Sequence, residues 1–152
     1  MNFTLRKVMI GDSDFLFNLR NEESVRRVSF NQESINPMGH SEWFKKKLAD
    51  SQSQIFIAEV KSQSIGMVRF DLIGDADAEV NVAVTEKFQG KGYGSGILRQ
   101  SAVKFLELFP KINSIHAFIK PDNLVSIRSF IKAGYALQGE VEHPRILLIL
   151  TR

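Results

Sequence analysis

The chain has no cysteine. Disulfides, thiolate metal sites and a cysteine nucleophile are therefore excluded. No apolar run approaches the ~20 residues of a membrane-spanning helix. The first residues, MNFTLRKVMIGDSDF, carry no apolar core of a secretory leader. Neither sign of charge dominates: 20 Lys and Arg stand against 17 Asp and Glu, a net charge of +3. That surplus is small for a nucleic-acid binder and suits a phosphate-bearing small ligand. No linker, repeat or low-complexity stretch breaks the chain. The expectation is one cytoplasmic domain over residues 1–152, with no membrane, nucleic-acid or metal partner.

What is present is ordinary in bulk. Hydrophobic residues make up 43% and charged residues 24% of 152 positions, enough to bury one core. FTLRKVMI reads as a first strand. Asp12 or Ser13 is placed to cap a helix with Phe15, Leu16 and Leu19 on one side. NEESVRRVSFNQESI is polar and irregular, a short helix and a loop. Asn36-Pro37 gives a cap and a first-turn proline for a helix striped by Trp43, Phe44 and Leu48. QIFIAEV and SIGMVRFDLI form a hairpin turning at KSQS. AEVNVAVT alternates, with Val80, Val82 and Val84 on one face and Glu79, Asn81 and Ala83 on the other. A helix from about Tyr93 to Phe109, the strand SIHAFIK, a helix from Asn123 to Ala133 closed by Gly134, and the strands YALQGEV and RILLILT complete the chain. The order predicts an α/β fold with a mixed parallel and antiparallel sheet.

One stretch stands out. FQGKGYGSGI places glycine at 90, 92, 94 and 96, between a buried strand and a helix. Each glycine loses backbone entropy on folding, so the cluster needs a return. Backbone N–H groups in such a loop, together with a helix N-terminus, attract phosphate, and absent side chains let it approach. Lys91 adds a full charge. A flexible strand–helix turn accounts for the glycines equally well. A Walker loop needs GxxxxGK[ST], which is absent. A dinucleotide fingerprint fails at Ser95 or Ile97, and its loop belongs after the first strand.

AEVNVAVTEKFQGKGYGSGIL resembles the central motif of the GNAT superfamily of acetyl-CoA-dependent N-acetyltransferases. The signature [QR]-x-x-G-x-[GA] is met by Gln89, Gly92 and Gly94. PDNLVSIRSFIKAGY resembles a second family segment through Asn123, Ser126, Lys132, Gly134 and Tyr135. The element order agrees across nearly the whole chain. The resemblance implies the acyl-CoA N-acyltransferase fold, with acetyl-CoA as co-substrate and no metal. Gln89, Gly90, Lys91, Gly92, Tyr93, Gly94 and Ser95 would hold the CoA pyrophosphate. Backbone groups of Val82 and Val84 would pair with the pantetheine arm as with an added strand. Asn123 and Ser126 would meet CoA, although a helix cap and its first turn also explain them.

The resemblance also implies direct attack of a neutral amine on the thioester. Glu79 stands where many relatives carry a carboxylate base, and Asn81 shares its face and would orient a water. Many relatives place a tyrosine proton donor on the last helix, where this chain has Phe130. A thiol with pKa near ~8.5 leaves without a strong acid, so no general acid is assigned.

The acceptor is read from the N-terminal half. The L-R-N stretch, the H-x-x-W-F helix and the G-x-[VI]-R-F-D strand resemble the branch that acetylates nucleotide-linked amino sugars. The substrate residues implied are Arg20, Asn21, His40, Trp43 and Arg69. Arginines bind diphosphates, and Trp43 or Phe30 is suited to stack on a base or sugar. Trp43 also fits a core position, and His40 fits a helix start. Two other functions stay open: a ribosomal-protein type N-terminal acetyltransferase, and a non-catalytic CoA-binding regulatory domain. A homodimer is compatible with either.

Overall fold

A computed structural model of the chain describes residues 2–142 and 144–152. The strands are β1 (Thr4–Lys7), β2 (Ser53–Val60), β3 (Gln63–Ile73), β4 (Asp77–Val84), β5 (Ser114–Ile119), β6 (Ala136–Val141) and β7 (Arg145–Thr151). The helices are α1 (Ser13–Asn21), α2 (Glu23–Val28), α3 (Pro37–Ala49), α4 (Tyr93–Leu108) and α5 (Leu124–Lys132). All seven strands join one sheet in the order β1-β2-β3-β4-β5-β7-β6. Every neighbouring pair is antiparallel except β4 and β5. The mixed sheet expected from the element order is therefore observed.

Strand alternation decides which side chains meet which helices. Ala78 and Val80 on β4, with Val68 and Phe70 on β3, join the core under α4 and α5. Phe70 stacks on Phe105 of α4 with ring centroids 4.3 Å apart. The opposite face of the central strands, with Ile55, Ile57 and Met67, packs on Leu16 and Leu19 of α1 and Phe44 of α3. α4 lies very close to the N-terminal segment. A Cβ at Gly96 would stand 2.9 Å from a Phe3 ring carbon, so a larger residue there would push that ring aside.

Three local readings need correction. β1 stops at Lys7, and residues Ile10–Asp12 form a 3-10 turn. Asp12 makes no side-chain cap to α1. Its carboxylate instead takes two bonds from Arg6, at 2.7 and 2.8 Å, and one from Met9 N at 2.7 Å. The charged pair outcompetes a cap. The polar segment after Asn21 holds the expected short helix, α2, whereas Leu48 is exposed and lies off the buried stripe of α3. The caps at Asn36 and Asn123 form as expected, accepting from Gly39 N and Ser126 N at 2.7 and 3.3 Å.

The sheet divides at one place. β4 pairs with β3 over eight positions, and β5 pairs with β7 over six. Between them, β4 and β5 pair only at Asp77↔Ser114, Ala78↔Ile115 and Glu79↔His116. Each half follows its own twist from there. The β5-facing edge of β4 beyond Glu79 therefore has no strand partner, and a cleft opens beside it.

Candidate functional site

The cleft holds a cavity of about 640 Å³. It is lined by Val80 to Val84 of β4, by the glycine loop, by α1, α2 and the loop after it, and by the start of α5. An extended polar ligand could add to the free edge of β4 through main-chain hydrogen bonds. One edge group is already taken. Gln89 Nε2 donates to Val84 O at 2.8 Å and to Ser24 Oγ at 3.2 Å. The glutamine of the loop thereby clamps β4 to α2 from inside the protein.

The glycine loop is built by its backbone. Gly90 has φ +72°, and Gly92, the residue preceding α4, has φ +86°. In that left-handed region a side chain is strained. The turn lets the chain enter α4 with its first amides open. Gln89, Gly90, Gly92 and Gly94 line the cavity, together with Val82, Val84, Asn123 and Ser126. Lys91, Tyr93 and Ser95 do not. Lys91 lies over the Phe88 ring at 5.6 Å. Tyr93 packs edge-on to Phe3 and Phe88. Ser95 is buried and donates to Gly92 O at 3.2 Å. Their side chains brace the loop, which leaves only their main chain to face a ligand.

Of the residues expected to hold the acceptor, Arg20, His40, Trp43 and Arg69 line the cavity. Asn21 does not. Its side-chain amide donates to Ile35 O at 3.1 Å and accepts from Ile35 N at 2.8 Å. Asn21 is therefore a clamp on the loop between α2 and α3. His40 is buried, with Nε2 2.9 Å from Ser13 O and its ring stacked on Phe44. It serves as a rigid wall. The Arg69 guanidinium lies over Trp43 at 5.5 Å and donates from Nε to Asp71 at 2.9 Å. Burial, and then the charge of Arg69, lower the pKa of Arg20 from its ordinary value.

Glu79 is placed at the point where β4 and β5 part, level with Asp71 on one side and His116 on the other. It is half-buried and lies outside the cavity lining, which takes Asn81 from the same face. Phe130 is buried and lines the cavity. Tyr135 meets its ring edge-on at 4.9 Å. The Tyr135 hydroxyl is buried without a hydrogen-bond partner among the described residues, and burial raises its pKa. It stays protonated and packs as a core ring.

Phe30, expected to stack on a ring, and Arg27 also line the cavity, and so do Phe118 and Lys120, which the sequence does not signal. Phe118 and Lys120 follow from alternation past the β4–β5 split, a split no local pattern announces. Among the described residues no Asp or Glu lines the cavity, while Arg20, Arg27, Arg69 and Lys120 do. No group of His, Asp and Glu among the described residues is arranged to hold a metal ion. No helix among them is long and apolar enough to cross a membrane.

Known proteins place this architecture. Residues 2–136 match the family described as acetyltransferase (GNAT) domain. A spermidine N(1)-acetyltransferase of Vibrio cholerae is 22% identical over 143 residues, covering 91% of this chain and 81% of that protein. A putative phosphinothricin acetyltransferase of Bacillus subtilis is 28% identical over 123 residues, covering 75% and 71%. In three dimensions the chain is similar to the aminoglycoside acetyltransferase AAC(6')-Ib in complex with coenzyme A. The TM-score is 0.85 at 22% identity, with 99% of this chain and 95% of that one covered. It is also similar to spermidine N-acetyltransferase from Vibrio cholerae in complex with CoA and spermine, at TM-score 0.87 and 20% identity, covering 98% and 95%. None of these relatives is named for a nucleotide-linked amino sugar, so the branch suggested by the L-R-N, H-x-x-W-F and G-x-V-R-F-D stretches is not reproduced among them. With its family match, its divided sheet and its glycine loop, the chain belongs to the GNAT acetyltransferase family.

Proposed function

We propose that this protein transfers the acetyl group of acetyl-CoA to the primary amine of a nucleotide-linked amino sugar. Acetyl-CoA supplies the activated acyl group as a thioester. The residues present fit it: a free β4 edge, a left-handed turn at Gly92 and open amides at the start of α4. Asn123 and Ser126 close the far side.

The observation that carries the acceptor reading is the charge of the cavity. Four basic side chains and, among the described residues, no acidic one line it. Polyamines and aminoglycosides are polycations at neutral pH. A cation 6 Å from one guanidinium meets about 3 kcal/mol of repulsion at an effective dielectric near ~20. A phosphate-bearing acceptor meets the same magnitude as attraction. Phe30, exposed at the rim, and Trp43 beneath Arg69 offer faces for a base or sugar ring.

The amine attacks as its neutral form. The N–C bond forms, the C–S bond breaks, and the thiolate carries away the electron pair. The amine proton passes to a water oriented by Asn81 and on to Glu79. Glu79 and Asn81 share one face of β4, two residues and about 6.6 Å apart along the strand. Phe130 donates no proton, and the thiolate needs none to leave.

Incubation with acetyl-CoA and a panel of UDP- and dTDP-linked amino sugars, free amino sugars, spermidine and N-terminal peptides tests the reading. Mass spectrometry should find a singly N-acetylated nucleotide sugar. A peptide or polyamine turned over faster than every nucleotide sugar would replace it.

A further inference from the structure

The acceptor half of the cavity holds a charge imbalance that the protein does not resolve internally. Arg20, in the last turn of α1, and Arg69, on β3, both line the cavity. Arg20 is half-buried and has no carboxylate partner among the described residues. Arg69 shares the one carboxylate it meets among the described residues. Asp71 receives Arg69 Nε at 2.9 Å on one oxygen, and Lys47 Nζ and Ser53 Oγ, each at 2.7 Å, on the other. Lys47 and Arg69 both bond to the single carboxylate of Asp71, which leaves one positive charge over at that contact, beside Arg20. Bringing two guanidiniums together in a half-buried place is unfavourable unless an anion joins them. Asp71 engages Arg69 through Nε, so the outer fork of the guanidinium stays available. Arg forks pair bidentately with phosphate oxygens.

We propose that Arg20 and Arg69 form a seat for a phosphate-class anion of the acceptor, and that Asp71, held by Lys47 and Ser53, is the positioning residue that aims Arg69 into it. The same seat turns polycationic acceptors away, which separates this chain from relatives named for spermidine and aminoglycosides. The inference deepens the acceptor reading and rests on it for the identity of the occupant. The seat itself is testable without any acceptor.

Trp43 is the only tryptophan of the chain, and its ring lies under the Arg69 guanidinium. Its emission therefore reports on the seat. The protein is first saturated with CoA, so that the glycine loop is filled, and is then titrated with pyrophosphate and, separately, with acetate. The expected result is a saturable change in Trp43 emission with pyrophosphate, at least tenfold tighter than with acetate. Arg20→Gln and Arg69→Gln should each weaken pyrophosphate at least tenfold while CoA affinity stays within about twofold. Asp71→Asn separates aim from charge. It adds one positive charge, so a seat governed by charge alone would tighten. A seat that depends on aim weakens by about threefold or more.

Wild-type affinity in both arginine variants, or no saturable binding by emission and by calorimetry, overturns the seat. Unchanged or tighter binding in Asp71→Asn overturns its positioning role. A seat that binds pyrophosphate in an enzyme that acetylates no nucleotide-linked amine leaves the seat standing and refutes the acceptor reading. An enzyme that acetylates such amines with an indifferent Arg20 and Arg69 refutes the seat alone.

Discussion

Gly94→Ala separates cofactor binding from folding. Gly94 lies in the first turn of α4 and lines the cavity. Unlike Gly92, it has no positive φ. A Cβ there would stand 3.6 Å from Ser129 Oγ, an ordinary contact. The substitution therefore fits the fold, and the higher helix propensity of alanine offsets any small loss. With unfolding entropy near ~2.1 cal/mol/K per residue, a chain of 152 residues loses about 0.32 kcal/mol of stability per degree. Acetyl-CoA at ~100 times its dissociation constant adds about 2.7 kcal/mol, a rise in Tm of about 8 °C. A methyl group facing the phosphate removes or lengthens one charge-assisted N–H contact, worth about 1.5–3 kcal/mol. At the same ligand concentration the rise then falls to about 1–4 °C. Differential scanning fluorimetry with and without acetyl-CoA reads both numbers. An undiminished rise in Gly94→Ala would show that phosphate does not sit on this loop. A fall of ligand-free Tm by more than about 5 °C would show that the position was needed for packing.

Glu79→Gln should lower kcat by about 10²–10⁴, with CoA affinity unchanged; near-normal turnover at neutral pH would assign the proton to solvent. Phe130→Tyr should change kcat less than threefold, because the thiolate leaves unaided; a tenfold gain would show that a donor was missing. The hydrogen bonds from Arg6, together with that from Met9 N, hold the Asp12 carboxyl below its usual range. A folded pKa below the unfolded one adds stability that is complete above the unfolded pKa, near ~3.9, and is lost as pH falls through the folded value. Asp12→Asn should thus lower Tm by about 3–9 °C at pH 7, from the 1–3 kcal/mol of a broken buried polar pair. The gap should begin to narrow only below about pH 4 and close as pH falls through the folded value, and a gap independent of pH would refute the charge argument.

Periodicity made most of this molecule readable before any coordinates. The alternation of AEVNVAVT separated Val80, in the core, from the exposed Asn81, and both also line the cavity. Asn36-Pro37 and Asn123 signalled their helix starts because caps are local. The glycine loop was legible because its spacing is a backbone requirement, seen in the positive φ of Gly90 and Gly92. Non-local facts were hidden. Asn21 reads as a polar binding residue, and only the fold shows Ile35 claiming both ends of its amide. Asp12 reads as a cap until Arg6 is brought beside it. Asp71 closes the G-x-V-R-F-D stretch, and only the fold shows it holding Arg69, two residues before it on the same strand face. Lys120 and Phe118 enter the site only because β4 and β5 part after three pairs. That parting depends on how each strand pairs with its other neighbour.

The most direct test of the central claim is kcat/KM for free-thiol release from acetyl-CoA with three acceptors side by side: a nucleotide-linked amino sugar, the same amino sugar without its nucleotide, and spermidine. Two lost arginine–phosphate contacts at about 1.5–3 kcal/mol each amount to roughly 10²–10⁴ in kcat/KM. The account predicts that the nucleotide-linked sugar exceeds the free sugar by that factor and that spermidine is slower still. Spermidine matching or exceeding the nucleotide-linked sugar would contradict it.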